Sequence, residues 1–504
     1  NKDPIMLYVN IVPVLLFLAN CDCARILIAI SSPFVEHQVT FQGLWRALLG
    51  RGHAVTLLTT HSMNDKSYSH LQEIVWHESV TLDKVDRESF ISAYYNYDSV
   101  LKTLDSELNH TKVIELLNED REFDLVITEY QAPVLYALAE VYNCPLILVS
   151  TTDLRSFMYY DLNNPSHSAY NPDFLLPYKH PLSFLERFIS AGVLFANKLY
   201  YNLIVAKQET ALIRKHFGSK FPTVEDLRDR ISVVLVNQNP ILGHIRPLIP
   251  TIVSIGGALN IQPPNFLPEE FDAFMRKSPS GVIYVNLGPV SSSALRIILK
   301  SLGELSYNSI VRYDGEVKSE PENVLVTQSV SQQDVLRHPN IKLFVTHGEL
   351  EAVEEAVYFK VPMLMLPMHR DQEAMVRSVV PRGAALSLNI NSLKKKKFKA
   401  AMLDLLENIE YRKKMMYLHE LVHDQPVGGL EVAVWWTDHV IRNKGTKHLK
   451  TQGQDIPLYQ YLYLDVIGVL LFVFFTILFL MYLALKVSIY LIRRGFFQKK
   501  EKVQ

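Results

Sequence analysis

Short apolar runs alternate along the chain with stretches in which apolar residues recur every three or four positions. The first run, residues 25–31, precedes a helical pattern at 41–49, and a second run follows at 54–59. A short apolar run bounded by turn residues predicts a buried strand, and the three-to-four spacing predicts an amphipathic helix. The order therefore predicts a βαβ unit.

The same alternation continues on both sides of a proline-rich stretch at residues 240–268, which predicts a linker. Before it, strands are predicted at 123–128, 146–150 and 231–237, with 181–216 largely helical; after it, they are predicted at 282–287, 309–313, 323–327, 341–346, 362–366 and 384–388. This pattern predicts an α/β chain of two doubly wound domains, residues 25–250 and 251–450. A ligand should lie in the cleft between them, beyond the carboxyl ends of the strands.

Both ends of the chain are apolar. Residues 6–19 suit the core of a signal peptide covering residues 1–24 and are too short to span a bilayer. Residues 466–485 carry no charge, and twenty helical residues span about 30 Å, so they predict one transmembrane helix. The tail, residues 486–504, is basic, which places it in the cytosol and the large body in the lumen of a single-pass type I protein.

Composition excludes several classes. The 504 residues include 51 Lys and Arg against 52 Asp and Glu, so the chain as a whole offers no basic footprint for nucleic acid. Its 48% apolar and 20% charged residues exclude disorder as the main state. The three cysteines form no CxxC pair, which leaves neither a zinc site nor a disulfide framework to infer. A P-loop, a GxGxxG motif and an Asp-x-Asp metal motif are also missing from the sequence.

Two residues suit acid–base chemistry. His37 comes just after the first predicted strand, and an imidazole there can act as a general base near neutral pH. Glu129 follows the strand at 123–128 and could orient that imidazole, as Asp does in a catalytic triad. The alternative is structural: a hydrogen-bonded loop histidine and a solvent-exposed carboxylate.

A second candidate site follows the strand at 341–346. His347 and Gly348 lead directly into a predicted helix, and a helix N-terminus suits a phosphate. Glu349, Glu351 and Glu354 lie in the first part of that helix. Acids stabilise a helix start but repel a phosphate bound there, so a purely structural interpretation of this turn stays open.

The chain resembles the membrane-bound UDP-glycosyltransferases, which comprise the animal UDP-glucuronosyltransferases and the insect UDP-glucosyltransferases. The resemblance covers nearly the whole length. It rests on His37 with residues 41–45 (FQGLW), 51–56 (RGHAVT), 281–288 (GVIYVNLG), 332–339 (QQDVLRHP), 344–348 (FVTHG), 361–363 (VPM), 371–372 (DQ), 423–426 (HDQP), 444–449 (KGTKHL) and 464–468 (LDVIG). It implies a GT-B fold with an acceptor-binding N-terminal domain and a UDP-sugar-binding C-terminal domain.

The resemblance also implies roles for residues. His37 would remove a proton from an acceptor hydroxyl, supported by Glu129, and the hydroxyl would attack the anomeric carbon with inversion and without a metal. The donor-site residues carried over are Arg312, Gln332, His347 and Gly348 near the nucleotide and diphosphate, Glu355 at the ribose, and Asp371 and Gln372 at the sugar hydroxyls.

The implied partners are UDP-glucose or UDP-glucuronate, a small lipophilic hydroxyl acceptor and the endoplasmic reticulum membrane. The implied chemistry uses no cofactor besides the UDP-sugar co-substrate. Both a homo-oligomer and a hetero-oligomer stay open. Residues 500–504 resemble dibasic retrieval signals of the endoplasmic reticulum, although an ordinary basic stop-transfer flank explains them equally well.

The departures from the family pattern cluster in the donor site. Ser329 stands where the family has a tryptophan that stacks on uracil, a loss of about 1–3 kcal/mol. Glu349 replaces a glycine, Glu351 and Ala352 replace Asn and Ser, and Pro289 replaces a serine. Lys360 and Arg370 could restore positive charge nearby. A second hypothesis is therefore a catalytically silent member that acts as a binding or partner subunit.

Overall fold

The computed structural model describes residues 23–31, 35–76, 92–178, 181–257, 259–315, 317, 319–450 and 456–501. The part of the predicted signal peptide at residues 1–22 lies outside these ranges. Contacts divide the chain into two compact units, Asn1–Leu449 and Lys450–Gln504.

The first half of the larger unit is built on a parallel sheet of seven strands in the order β3-β2-β1-β4-β5-β6-β7. The strands are β1 Arg25–Ala29, β2 Ala54–Thr59, β3 Leu71–Val75, β4 Leu125–Glu129, β5 Leu146–Ser150, β6 Ile231–Val236 and β7 Ile252–Ser254. Strands β1 and β4 are direct neighbours, with Ala29 opposite Thr128. The loops that follow these two strands therefore leave the sheet at the same edge.

The second half contains a parallel sheet of six strands in the order β10-β9-β8-β11-β12-β13. The strands are β8 Val282–Asn286, β9 Asn308–Arg312, β10 Val324–Thr327, β11 Ile341–Thr346, β12 Met363–Met365 and β13 Ala385–Ser387. Two parallel sheets of this kind confirm the predicted α/β class with two doubly wound sheets.

Helices connect the strands. In the first half they are Val35–Thr40, Gln42–Gly50, Ser92–Leu108, Thr111–Asn118, Ala137–Val141, Ser156–Asp161, Phe184–Tyr200, Tyr201–Val205 (a π-helix), Ala206–Phe217 and Val224–Leu227. In the second half they are Glu269–Arg276, Ser292–Leu302, Gln332–Arg337, Leu350–Tyr358, Arg370–Val379, Lys395–Glu407, Ile409–His423 and Gly429–Asn443. Short 3₁₀ turns occur at Pro133–Tyr136, Arg228–Arg230, Val380–Arg382, Ile390–Ser392 and Lys447–Leu449.

Each sheet is packed on both faces. In β1, Leu27 and Ala29 belong to one hydrophobic cluster, whereas Ile26 and Ile28 belong to the cluster on the opposite face. A parallel strand that is buried on both faces has a nearly continuous apolar sequence, which is why the sequence predicted β1 and β2. The second sheet has the same arrangement, with Phe344 and Val345 of β11 in different clusters.

The predicted linker at residues 240–268 is partly wrong, because it contains strand β7. Val234 pairs with Ile252, which is buried, so this segment extends the first sheet. The helix Gly429–Asn443, near the end of the larger unit, packs against the first half. Its residue Val440 lies in the hydrophobic cluster that includes Leu48. Asp438 also contacts the Nε2 atom of His53 at 3.1 Å. The domain limits at 25–250 and 251–450 stay a prediction.

The smaller unit contains the helices Leu464–Glu501 and Leu458–Tyr461. The stretch Leu464–Arg493 has the length and composition of a membrane span, as the sequence predicted for residues 466–485. Within the described residues one other stretch, Phe184–Phe217, passes the same test, although it belongs to the larger unit. The sequence predicted that stretch to be helical but did not distinguish it as a candidate for contact with lipid.

Candidate functional site

A cavity of about 1020 Å³ opens at the carboxyl ends of strands β8, β9 and β11. Asn286, Arg312 and Thr346, each at the end of one of these strands, line its wall. Val39, from a helix of the first half, also lines it. The cavity therefore lies where ligands bind in open parallel sheets, beyond the carboxyl edge.

The cavity gathers five of the nine residues that the sequence singled out. Those that line it are Arg312, Gln332, His347, Glu355 and Gln372. Gly348 and Asp371 are the chain neighbours of His347 and Gln372, but they are not among the lining residues. Ser329, at the position of the family's tryptophan, is exposed and lies outside the lining.

Glu355 is held by two glutamine amides. The Nε2 atom of Gln332 donates to Glu355 Oε2 at 2.6 Å, and the Nε2 atom of Gln333 donates to Glu355 Oε1 at 2.8 Å. Asn286 in turn donates to Gln332 Oε1 at 2.7 Å. Burial raises the pKa of Glu355 above its ordinary value, and the two amide hydrogen bonds partly offset that rise. A buried carboxyl fixed in this way is pre-oriented to accept hydrogen bonds from a ligand hydroxyl.

His347 is paired with the glutamate that replaces the family's glycine. Its Nε2 atom lies 2.9 Å from Glu349 Oε1, and the amide of Gln372 lies 3.5 Å from the same oxygen. The Nδ1 atom of His347 is buried and has no hydrogen-bond partner in the described part of the chain. Glu349 thus occupies the imidazole edge that would otherwise be available to an anionic ligand.

The charged side chains that line the cavity are mainly acidic. The lining includes one arginine and two histidines against four carboxylates, namely Arg312, His347, His369, Asp314, Glu349, Glu351 and Glu355. Lys360 and Arg370, the two cations that could have restored positive charge, are not among the lining residues. The acids at this helix start are therefore not offset by those two side chains within the cavity wall.

Gly348 is required by backbone geometry. Its φ of +91° lies in a region that residues with a Cβ atom rarely adopt, and a Cβ atom there would lie 2.5 Å from Met365 Cε. The Gly348 amide donates to Thr346 Oγ1 at 3.2 Å. This turn carries the chain from β11 into the helix Leu350–Tyr358.

Gln372 stabilises the start of the helix Arg370–Val379. Its Oε1 atom accepts hydrogen bonds from the amides of Met368 at 2.7 Å and His369 at 3.0 Å. Its amide group remains directed toward Glu349, at the distance given above. Asp371 lies in the first turn of the same helix.

His37 lies in the helix Val35–Thr40, which directly follows the loop after β1, and its side chain is outside the described part of the structure. The next residue, Gln38, is buried and anchors this helix: its Nε2 atom donates to the carbonyl of Ile30 at 3.0 Å, and its Oε1 atom accepts from Thr59 Oγ1 at 2.6 Å. Two residues after His37, Val39 lines the cavity. The backbone of His37 is therefore fixed between the first sheet and the cavity.

Glu129 ends β4, the strand next to β1, and is only 3% exposed. The interpretation of Glu129 as a solvent-exposed carboxylate is wrong, because the structure buries it. A second buried carboxyl lies close by: the Oε2 atom of Glu107 accepts a hydrogen bond from Ser31 Oγ at 2.5 Å. Its Oε1 atom has no hydrogen-bond partner among the described residues. Burial raises the pKa of Glu107 well above its ordinary value, and the nearby charge of Glu129 raises it further.

Replacing Glu107 by glutamine should make the stability of the protein less dependent on pH. A folded-state pKa above the unfolded value contributes stability that is complete below the unfolded pKa and is lost as pH rises through the folded one. We therefore expect E107Q to be more thermostable than the native chain at pH 8, with the advantage disappearing toward pH 4. Thermal unfolding midpoints measured across this range test the prediction, and E115Q, at an exposed position, is the control. An unchanged slope in E107Q would contradict it.

Several residues of the site were not identified from the sequence as site residues. Asn286, Gln333 and His369 contact the predicted residues, and Gln38 and Glu107 support the first half of the site. Gln333 lies inside a motif that carried the family resemblance, so the motif itself was an available signal. Glu107 has no local signal, because its contact with Ser31 joins residues 76 positions apart.

Comparisons with known proteins agree with this geometry. Residues 35–503 match the family model described as UDP-glucoronosyl and UDP-glucosyl transferase. The chain is 28% identical over 466 residues to the UDP-glycosyltransferase UGT5 of Dactylopius coccus, covering 87% of each chain. It is 27% identical over 475 residues to the human UDP-glucuronosyltransferase 1A1, covering 88% of each.

Among solved structures, the chain is similar in fold to the Medicago truncatula enzyme UGT71G1, which was crystallised with UDP-glucose. The TM-score is 0.57 at 16% identity, and the match covers 84% of this chain and 99% of that one. This likeness confirms the GT-B fold that the resemblance implied. Because the family model spans nearly the whole chain, the protein belongs to the UDP-glucuronosyl and UDP-glucosyl transferase family.

Proposed function

We propose that the protein transfers a hexosyl group from UDP-glucose or UDP-glucuronate to a hydroxyl of a small lipophilic acceptor, with inversion. The observation that carries this proposal is the cavity itself. It brings Arg312, Gln332, Glu355 and Gln372 together at the carboxyl edge of the second sheet. Val39, two residues from His37, lines the same cavity.

Each group has a defined task in this proposal. Glu355, oriented by Gln332, accepts hydrogen bonds from the ribose, and Gln372 with Asp371 binds hydroxyls of the sugar. His347 and the Gly348 turn lie beside the diphosphate. This part of the site binds and orients the donor.

The chemical step takes place between the two halves. The imidazole of His37 takes the proton of the acceptor hydroxyl while the hydroxyl oxygen forms a bond to the anomeric carbon. The bond from that carbon to the diphosphate oxygen breaks, and UDP leaves with the electron pair. Glu129, buried beside β1, supports the imidazolium that forms. The chain's own residues supply the acid–base chemistry, and the proposal uses no metal.

The proposed location is the endoplasmic reticulum membrane, with a single span, a lumenal body and a cytosolic tail. The apolar helix Leu464–Glu501 and the basic residues in its last part support this proposal. Protease protection of sealed microsomes tests it: the body should be protected, and an epitope after Gln504 should be cleaved.

Conjugation assays test the transfer itself. Membranes containing the protein are incubated with each of the two UDP-sugars and a panel of phenols and steroids, and the products are identified by mass spectrometry. A glycoside of at least one acceptor is expected. The absence of product with every donor and acceptor pair would contradict the proposal.

The second candidate function is a catalytically silent binding or partner subunit. The ion pair between His347 and Glu349 favours it, because it places a carboxylate at the site expected for the diphosphate. Calorimetric titration with UDP separates the two functions. Binding in the micromolar range supports the transferase, whereas undetectable binding together with silent conjugation assays supports the partner subunit.

A further inference from the structure

The helix Phe184–Tyr200, the first part of the stretch Phe184–Phe217, has its polarity reversed relative to a helix packed on a soluble protein. Its buried residues include Ser190 and Asn197, each 2% exposed. Its exposed residues include Phe188 at 68% and Leu199 at 61%. Helices of soluble domains turn their apolar stripe to the core and their polar face to water. Here the apolar face is directed outward.

Of the two inward polar side chains, that of Ser190 is hydrogen-bonded within the protein, whereas the Oδ1 atom of Asn197 has no hydrogen-bond partner among the described residues. Ser190 Oγ donates to the carbonyl of Ser168 at 2.8 Å. Lys198, the one charged residue between Arg187 and Lys207, lies 3.3 Å from Asp161 Oδ1 and 4.3 Å from the ring centre of Tyr160. The single charge in the middle of the stretch is thus paired with a buried carboxylate of the protein, and its own side chain is only 29% exposed.

The outward face is uncharged over a long distance. Its exposed residues between Arg187 and Lys207 are Phe188, Ile189, Gly192, Phe195, Ala196, Leu199, Asn202, Leu203 and Ile204. At 1.5 Å per residue this stretch extends about 28 Å. Exposed apolar patches of such size mark contact with a membrane or another protein.

The distribution of charge decides whether this apolar face contacts a membrane or another protein. A protein interface usually has a polar rim with charged groups, whereas hydrocarbon tolerates none. In this face the charges are confined to its two ends, where Arg187 and Lys207 are exposed. Positive groups flanking an uncharged apolar face match lipid phosphates above acyl chains. Glu186, next to Arg187, is engaged in capping the helix through the amide of Ser183 at 2.7 Å.

We propose that this face, residues 184–204, binds the lipid bilayer surface, lying in the plane of the membrane with its apolar side chains among the acyl chains. Ser190 and Asn197 are buried against the rest of the larger unit, so one side of the helix faces protein and only the other side is left for the acyl chains, which favours a helix in the membrane plane over a span. The larger unit therefore has a membrane contact of its own, in addition to the apolar helix of the smaller unit. An acceptor dissolved in the bilayer would be available to a body held against it.

The test uses the full chain in vesicles of phosphatidylcholine and phosphatidylserine, with a protease site inserted after Leu449, the last residue of the larger unit. After cleavage in place, the vesicles are floated on a density gradient. The native larger unit should float with the lipid. The F188D/L199D double variant should lose vesicle partitioning by about tenfold or more, because two exposed apolar side chains proposed to enter the acyl chains are replaced by charges.

The matched control is the I409D/Y417D variant, which places two acids on another helix of the same unit at residues that are 60% and 57% exposed. It should float like the native protein. A cooperative thermal unfolding transition, measured for the cleaved larger unit of the native chain and of both variants, checks that each one is folded. Release of the native unit as a monomer would overturn the proposal, as would retention that F188D/L199D does not reduce. Release as a dimer that F188D/L199D dissociates would also overturn it, since a second copy would then be the occupant.

Discussion

Replacing His37 by alanine should lower the turnover number for hexosyl transfer by about 10²–10⁴-fold, the usual contribution of a general base. Without the imidazole, the proposed general base for the acceptor hydroxyl is lost as the new bond forms. The affinity for UDP should be unchanged, because the nucleotide is proposed to bind residues of the second half. Steady-state kinetics of conjugate formation and calorimetry with UDP measure the two quantities separately.

The control for this variant is H61A, an exposed histidine that follows β2 in the same half. Its turnover should match that of the native chain. A turnover of H37A close to the native value would contradict the role of His37. A parallel loss of UDP binding in H37A would instead indicate that the change disturbs the cavity through the helix Val35–Thr40.

In the first sheet the interior strands could be predicted from the sequence, whereas the two edge strands could not; the edge strands of the second sheet, β10 and β13, lie within the predicted ranges 323–327 and 384–388. Strands β2, β5 and β11 have the predicted limits, because a strand covered on both faces is apolar at most of its positions. Strand β3 lies at the edge of the first sheet, and its residues, LQEIV, include the adjacent polar pair Gln72 and Glu73, which interrupts the apolar run. Strand β7 is the opposite edge and has only three residues, which a proline-rich sequence conceals.

The candidate site could be predicted only where a motif is local. His347 and Gly348 follow directly from the strand-to-helix pattern, and the structure explains the glycine by its positive φ. The support of Glu355 by two amides depends on how the helix Gln332–Arg337 packs beside the helix Leu350–Tyr358. Whether Lys360 and Arg370 reach the cavity is also a three-dimensional question, and their spacing in sequence gives no answer to it.

Neutralising Glu349 should strengthen the binding of UDP-sugars by roughly 10–100-fold. A carboxylate about 6 Å from a phosphate charge costs roughly 3 kcal/mol at an effective dielectric constant of about 20, which corresponds to a factor near 100. E349Q removes that charge with little change in shape and releases the Nε2 atom of His347. The loss of an acid at the helix start costs up to about 1 kcal/mol of stability, which is smaller than the gain in binding.

Calorimetric titration of E349Q and native protein with UDP-glucose and UDP-glucuronate measures this difference. The control E373Q removes an exposed acid from the helix Arg370–Val379 that does not line the cavity, and it should leave the affinity unchanged. The gain in E349Q should also shrink at high salt, because screening weakens the repulsion in the native cleft. Equal or weaker binding by E349Q would show that the carboxylate does not face the diphosphate. The turnover of the H37A/E349Q double variant can also be compared with that of E349Q, because the stronger donor binding expected in E349Q makes the chemical step easier to measure.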